Sequence, residues 1–202
     1  MTDLVKVHAT TAKELLQFVD ISEEATDCLV PDTAPEVSIN RLMDSGFFAD
    51  AIKLLALGLP KRESVWWACL CAREIHSPQT DEDNGKALVA AENWVKNPTE
   101  ERRLTCKKYA EKTKYKTPAS WAATAASWSH GSLAGPEDPM IEPPAHLYAH
   151  AVAGSITLAA VVSNPVNPEK SFQRFLQQGL SLARGGNGKI SSQDVASQLV
   201  EG

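Results

Sequence analysis

His146 and His150 stand four residues apart in a long apolar stretch. On a helix that spacing puts both imidazoles on one face, a workable pair of zinc ligands. A helical zinc hydrolase would carry a glutamate between them as general base. Leu147, Tyr148 and Ala149 stand there instead. His130 and Glu142, in the adjoining segment, are the further ligands such a site would draw on. These four residues form the one enzyme alternative that the sequence offers. Capping or surface roles are the expectation for the histidines, with no catalytic residue, no metal and no cofactor.

Other patterns fail on spacing. Cys69 and Cys71, with His76 nearby, invite a metal reading. Residues two apart on a helix point about 200° away from each other, so the thiols cannot grip one ion. They read as small core residues. The run Gly185-Gly186-Asn187-Gly188-Lys189 lacks phosphate-loop spacing, and Ile190 stands where a hydroxyl should hold magnesium. It follows a helix, so it reads as a helix stop and a flexible joint. An acidic calcium-loop look at residues 80–85 fails too. Aligned on Gly85, the first ligand position is Thr80 and the last is Ala91. Ser64, Ser127 and Ser129 lack the glycine-flanked elbow of a serine nucleophile.

The elements that would position these residues are helical throughout. Thr11 to Glu14 fits a capping box. Ser22 opens a short helix, residues 31–37 form a connector, and Ser38 caps the next helix. Gly58 and Pro60 end the helix after it. Asn97-Pro98 and Thr117-Pro118 each read as a cap with proline at the first helical position. Residues 131–144, with Gly131, Gly135 and four prolines, form the one long irregular loop. A second nearly all-apolar helix runs from 145 to 162, and a last core helix ends at Gly185. No stretch shows strand alternation.

The central element is residues 61–76, with two of the five tryptophans and two of the four cysteines. From 65 to 72 it has no polar face, and a helix apolar all round is buried all round. Trp66, Trp67, Cys69 and Cys71 are therefore expected in the core, with Trp94, Trp121 and Trp128. Lys61 and Arg62 at its start are disfavoured by the positive helix end unless an anion or acidic partner is near.

The chain has 202 residues, 43% hydrophobic and 22% charged, which suits one soluble domain. Its net charge of −5 hides an asymmetry: residues 1–40 carry two lysines against eight acids, and residues 98–116 carry seven basic residues against three acids. An acidic protein of this kind is a poor nucleic-acid binder. Its longest apolar run is too short for membrane insertion, which takes about 20 residues. No signal peptide is visible, and the cysteines suggest no disulfide framework, so a cytoplasmic location is expected.

The run from Phe48 to Arg73 resembles an uncharacterised family of bacterial domains of unknown function. Its most specific part is Trp66-Trp67-Ala68-Cys69-Leu70-Cys71-Ala72-Arg73. Residues 91–98, 117–132 and 143–154 resemble the same family. The resemblance implies a Gram-negative bacterial protein, an accessory encoded among type VI secretion components. It implies no activity and no catalytic residues.

These readings converge on an all-α bundle of about eight helices: an acidic N-terminal region (1–37), a core domain (38–186) and a flexible tail (187–202). The expected function is that of a non-catalytic adaptor that holds another protein, such as a secretion cargo or spike component. Lys61, Arg62, Met140 and Ile141 are the expected contacts. A scaffold subunit of a larger assembly is the further alternative.

Overall fold

The computed structural model describes residues 3–75, 82–135 and 137–190. His76, Thr80 and most of the C-terminal tail therefore lie outside the described residues. Nine α-helices and one 3-10 helix make up the described fold, which contains no strand. They are α1 (Ala12–Leu16), the 3-10 helix (Glu23–Cys28), α2 (Pro35–Asp44), α3 (Phe48–Gly58), α4 (Lys61–Ile75), α5 (Glu82–Lys96), α6 (Glu100–Lys112), α7 (Pro118–Ser127), α8 (Leu147–Ser163) and α9 (Glu169–Ala183).

Local chemistry explains most boundaries. The Glu14 carboxylate accepts from the backbone N–H and hydroxyl of both Thr10 and Thr11, closing the N-terminus of α1. Thr117 caps α7, with Pro118 at the first helical position. The similar Asn97-Pro98 pair does not start α6. Thr99 does, its hydroxyl accepting from the Arg102 N–H. Ser38 does not cap α2 either. That helix begins at Pro35, and the buried Ser38 hydroxyl accepts from the Val30 N–H instead. Part of the expected connector is thus the first turn of α2, because proline fits a turn whose N–H groups have no intrahelical partner.

Helix α4 packs against α5, α7, α8 and α9 and shares the interior of the bundle with α7 and α8. Trp67, Cys69 and Cys71 are fully enclosed, as is Trp94 on α5. Trp66 and Leu70, on the other side of α4, are only partly buried. The absence of a polar face did not require burial on every side. The turn after α9 covers this margin: Trp66 Nε1 donates to the Asn187 carbonyl at 3.4 Å. A Cβ on Gly188 would stand 2.6 Å from the Leu70 side chain. Gly185 and Gly188 both have positive φ, so the glycine run is a helix stop packed on α4. Trp121 and Trp128 are likewise partly buried, at the edge of the core.

The acidic N-terminal region packs on the core. The Lys6 N–H donates to the Ala183 carbonyl, and its ammonium meets Glu63 at 3.3 Å. Glu36 meets Arg184 at 3.1 Å. Buried Asp50 on α3 accepts from the Ser22 N–H and hydroxyl and from Lys53.

Candidate protein-binding surface

The basic side chains show what the helix ends require. Lys61 Nζ donates to the Ser129 carbonyl at 2.6 Å and lies 5.6 Å from the Tyr148 ring centroid. Arg62 Nε donates to the Val95 carbonyl at 3.0 Å. Val95 lies in the last turn of α5, where a helix carries unpaired acceptors and partial negative charge, and Ser129 lies two residues past the end of α7. Backbone carbonyls inside the chain thus meet both cations at the start of α4.

Helix α6 repeats the device. Arg102 donates to the Asn93 and Asn97 carbonyls at the end of α5. Arg103 is buried, pairs with both oxygens of Glu100 at 2.7 Å, and donates to the Ser127 and Ser132 carbonyls. The Gly131 backbone lies against its guanidinium, where a Cβ would be 2.6 Å from Arg103 Nε. Lys107 donates to the Leu133 and Ala134 carbonyls. The basic helix is thus a clamp on helix ends and on the long loop.

The histidines fall into two settings. His130 stacks on Trp94 with ring centroids 5.9 Å apart and stands 3.9 Å from Glu100. Partial burial lowers its pKa, and neighbouring Glu100 acts in the opposite direction. His146 and His150 meet edge to face at 5.6 Å, and His146 stacks on Phe18 at 5.2 Å. Among the described residues no three His, Cys, Asp or Glu side chains are grouped to hold a metal ion. Burial raises the thiol pKa of Cys69 and Cys71 well above normal and that of Cys106 to about 12, which keeps them protonated. The hydroxyls of Ser64, Ser127 and Ser129 are donated to the backbone carbonyls of Ala56, Thr124 and Ala125.

The proline-rich loop is folded back on itself, although its prolines predict an extended shape. The Leu133 N–H donates to the Ile141 carbonyl at 2.8 Å. The Ser132 hydroxyl accepts from the N–H of Ala134 and of Ile141, both at 3.1 Å. Arg103 and Lys107 hold the loop's first limb from below. Met140 and Ile141 remain 66% and 57% exposed on this fixed support.

Beside the loop lies a groove of about 420 Å³, lined by Lys107, Ala110, Glu111, Tyr115, Ser127, Trp128, Leu133 and Leu147. Tyr115 and Trp128 line it, and Trp121, outside the lining, meets Tyr115 at 6.4 Å and Trp128 edge-on at 6.3 Å. Lys114 and Tyr115 both have positive φ, near 57°. That conformation is costly for residues with side chains, and it turns the chain sharply after α6. It leaves Tyr115 43% exposed at the groove. The sequence reading missed Tyr115, Leu133 and Leu147. No glycine or asparagine marks the left-handed pair, and the apolar residues come from three separate segments.

The comparisons bear on this surface. A model described as "Family of unknown function (DUF6931)" matches residues 38–183. The chain belongs to this family. The DUF6931 span starts inside α2 and ends with the last residue of α9, so every groove residue and the whole loop lie within it. No curated protein and no solved structure matches the chain.

Proposed function

We propose that this DUF6931 protein is a non-catalytic binding domain that engages another protein through the loop tip and the aromatic groove. One observation carries the reading: Met140 and Ile141 stand exposed on a loop that hydrogen bonds hold in place. An apolar side chain on a fixed support binds without losing the loop's conformational entropy. Aromatic side chains in a part-desolvated cleft are the residue types that anchor interfaces. The alternative enzyme set is split, with His130 against Trp94 and Glu100 and the pair His146/His150 against Phe18. The setting we propose is that of a bacterial secretion accessory, on the family resemblance, with a cargo or spike component held at this surface.

The test is co-purification from a host that encodes the protein. Partner recovery by wild type is compared with Met140→Asp/Ile141→Asp and with Lys61→Met/Arg62→Met. The loop variant should lose the partner while keeping its melting temperature. Undiminished recovery with the loop variant contradicts the proposal.

A further inference from the structure

We propose that His130 is a pH-sensitive joint at the root of the loop: on protonation it draws the Glu100 carboxylate from Arg103, the root loosens, and the partner is released in mildly acidic surroundings. This rests on the protein-binding reading above and adds its regulation.

Geometry carries the inference. Cationic side chains hold the loop root by its carbonyls. Lys61 takes Ser129 at 2.6 Å, Arg103 takes Ser127 and Ser132 at 3.0 and 3.3 Å, and Lys107 takes Leu133 and Ala134. His130 stands in the middle of this run, at the step from α7 into the loop. Its ring stacks on Trp94, which fixes where a new charge would arise. Its Nε2 lies 3.9 Å from Glu100 Oε2. That same oxygen accepts from Arg103 Nε at 2.7 Å, and Glu100 Oε1 accepts from Arg103 at 2.7 Å. A neutral His130 leaves this carboxylate wholly to Arg103. A protonated one competes for it.

Burial decides what yields. His130 and Glu100 are half-exposed, so a proton can reach the ring and the carboxylate can turn. Arg103 is buried and cannot follow it. A buried guanidinium that loses its carboxylate is costly. Its relief is to move toward water, which takes its donors from the Ser127 and Ser132 carbonyls.

The charged groups around His130 are Lys61 from α4 and Glu100 and Arg103 from α6. Helix α5 presents the uncharged Trp94 ring, and Arg62 and Arg102 sit on carbonyls at its end. Tyr148 on α8, beside Lys61, stays neutral because burial raises its pKa to about 12. Burial lowers the His130 pKa from 6.5; Glu100 opposes this, and Arg103 and Lys61 add to it. A histidine with a lowered folded pKa contributes stability above its unfolded value, and that contribution is lost as pH falls through the folded one. The joint is therefore closed at neutral pH and opens below 6.5.

The experiment follows the full chain by NMR from about pH 7.5 to about pH 5.5, across the histidine range. The His130 ring resonances report its titration. Exchange of the Leu133 N–H, which closes the loop on the Ile141 carbonyl, reports the joint once corrected for the intrinsic rate. His130 should titrate below 6.5. Leu133 protection should fall about threefold to tenfold over the range in wild type. It should hold at its neutral-pH level in His130→Gln and be low throughout in His130→Arg. Partner recovery should fall with pH in wild type and hold in His130→Gln. A His130 midpoint at or above 6.5, protection indifferent to pH, or the same fall in His130→Gln overturns the joint. Partner recovery indifferent to pH overturns the release. The wild-type titration needs no variant, so a substitution that fails to fold leaves the test intact. Exchange needs no partner, so it is independent of the loop variant in co-purification, which judges the protein-binding reading itself.

Discussion

The indole of Trp67 occupies the space that a side chain on Gly179 would need. A Cβ there would stand 2.6 Å from two ring atoms of Trp67 and 2.9 Å from Leu55. The approach lets Trp67 Nε1 donate to the Phe175 carbonyl at 2.7 Å, one turn earlier on α9. The first tryptophan helix and the last core helix are thereby joined across the centre of the bundle. Gly179→Ala improves intrinsic helix propensity by about 1 kcal/mol. It should nonetheless destabilise by about 1–3 kcal/mol from overpacking, read as a lower midpoint in urea.

The two adjacent tryptophans should separate cleanly. Trp67→Ala leaves a cavity in a fully enclosed site and should cost about 3–5 kcal/mol. Trp66→Ala removes a partly buried ring at the margin and should cost less than half of that. Equal losses in denaturant melts would contradict the packing described.

Arg103 is the buried clamp between α6, α7 and the loop. Arg103→Ala leaves the Ser127 and Ser132 carbonyls short of a donor and should cost about 2–3 kcal/mol. Arg103→Lys keeps the charge but loses the paired bonds to Glu100, so it should recover less than half of the loss. Amide exchange in residues 131–135 should speed up in both variants.

Acid should weaken the same clamp. The hydrogen bonds from Arg103 hold the Glu100 carboxyl below its ordinary value of 4.5, with partial burial opposing them. Burial pushes the Asp50 carboxyl up, but its bonds from Lys53 and Ser22 outweigh that and leave it below 3.8. A carboxyl with a lowered folded pKa contributes stability above its unfolded pKa, and that contribution is lost as pH falls through the folded value. Stability should therefore fall as the pH drops below about 4.5, and Glu100→Gln should flatten part of that acid limb.

The helical class was legible from punctuation and period, and the start of α7 could be placed to the residue because Thr117 and Pro118 act locally, although the helix ends at Ser127 rather than near Gly131. Asn97-Pro98 looks the same but yields to Thr99, whose hydroxyl reaches the Arg102 N–H; sequence does not show which of two nearby caps wins. Lys61 and Arg62 were conspicuous for a sound electrostatic reason. Their partners are carbonyls 68 and 33 residues away, which no local pattern reveals. Met140 and Ile141 were legible as exposed apolar residues in a loop. The groove beside them was not, because Tyr115, Trp128, Leu133 and Leu147 come together only in the folded chain.

Site-specific photo-crosslinking in the native host tests the central claim most directly. A benzophenone side chain placed at Ile141 should yield one discrete protein adduct, and the same group at Phe18, on the His146/His150 side, should yield none. No adduct from position 141, or the same adduct from both positions, would contradict a partner surface built on this loop.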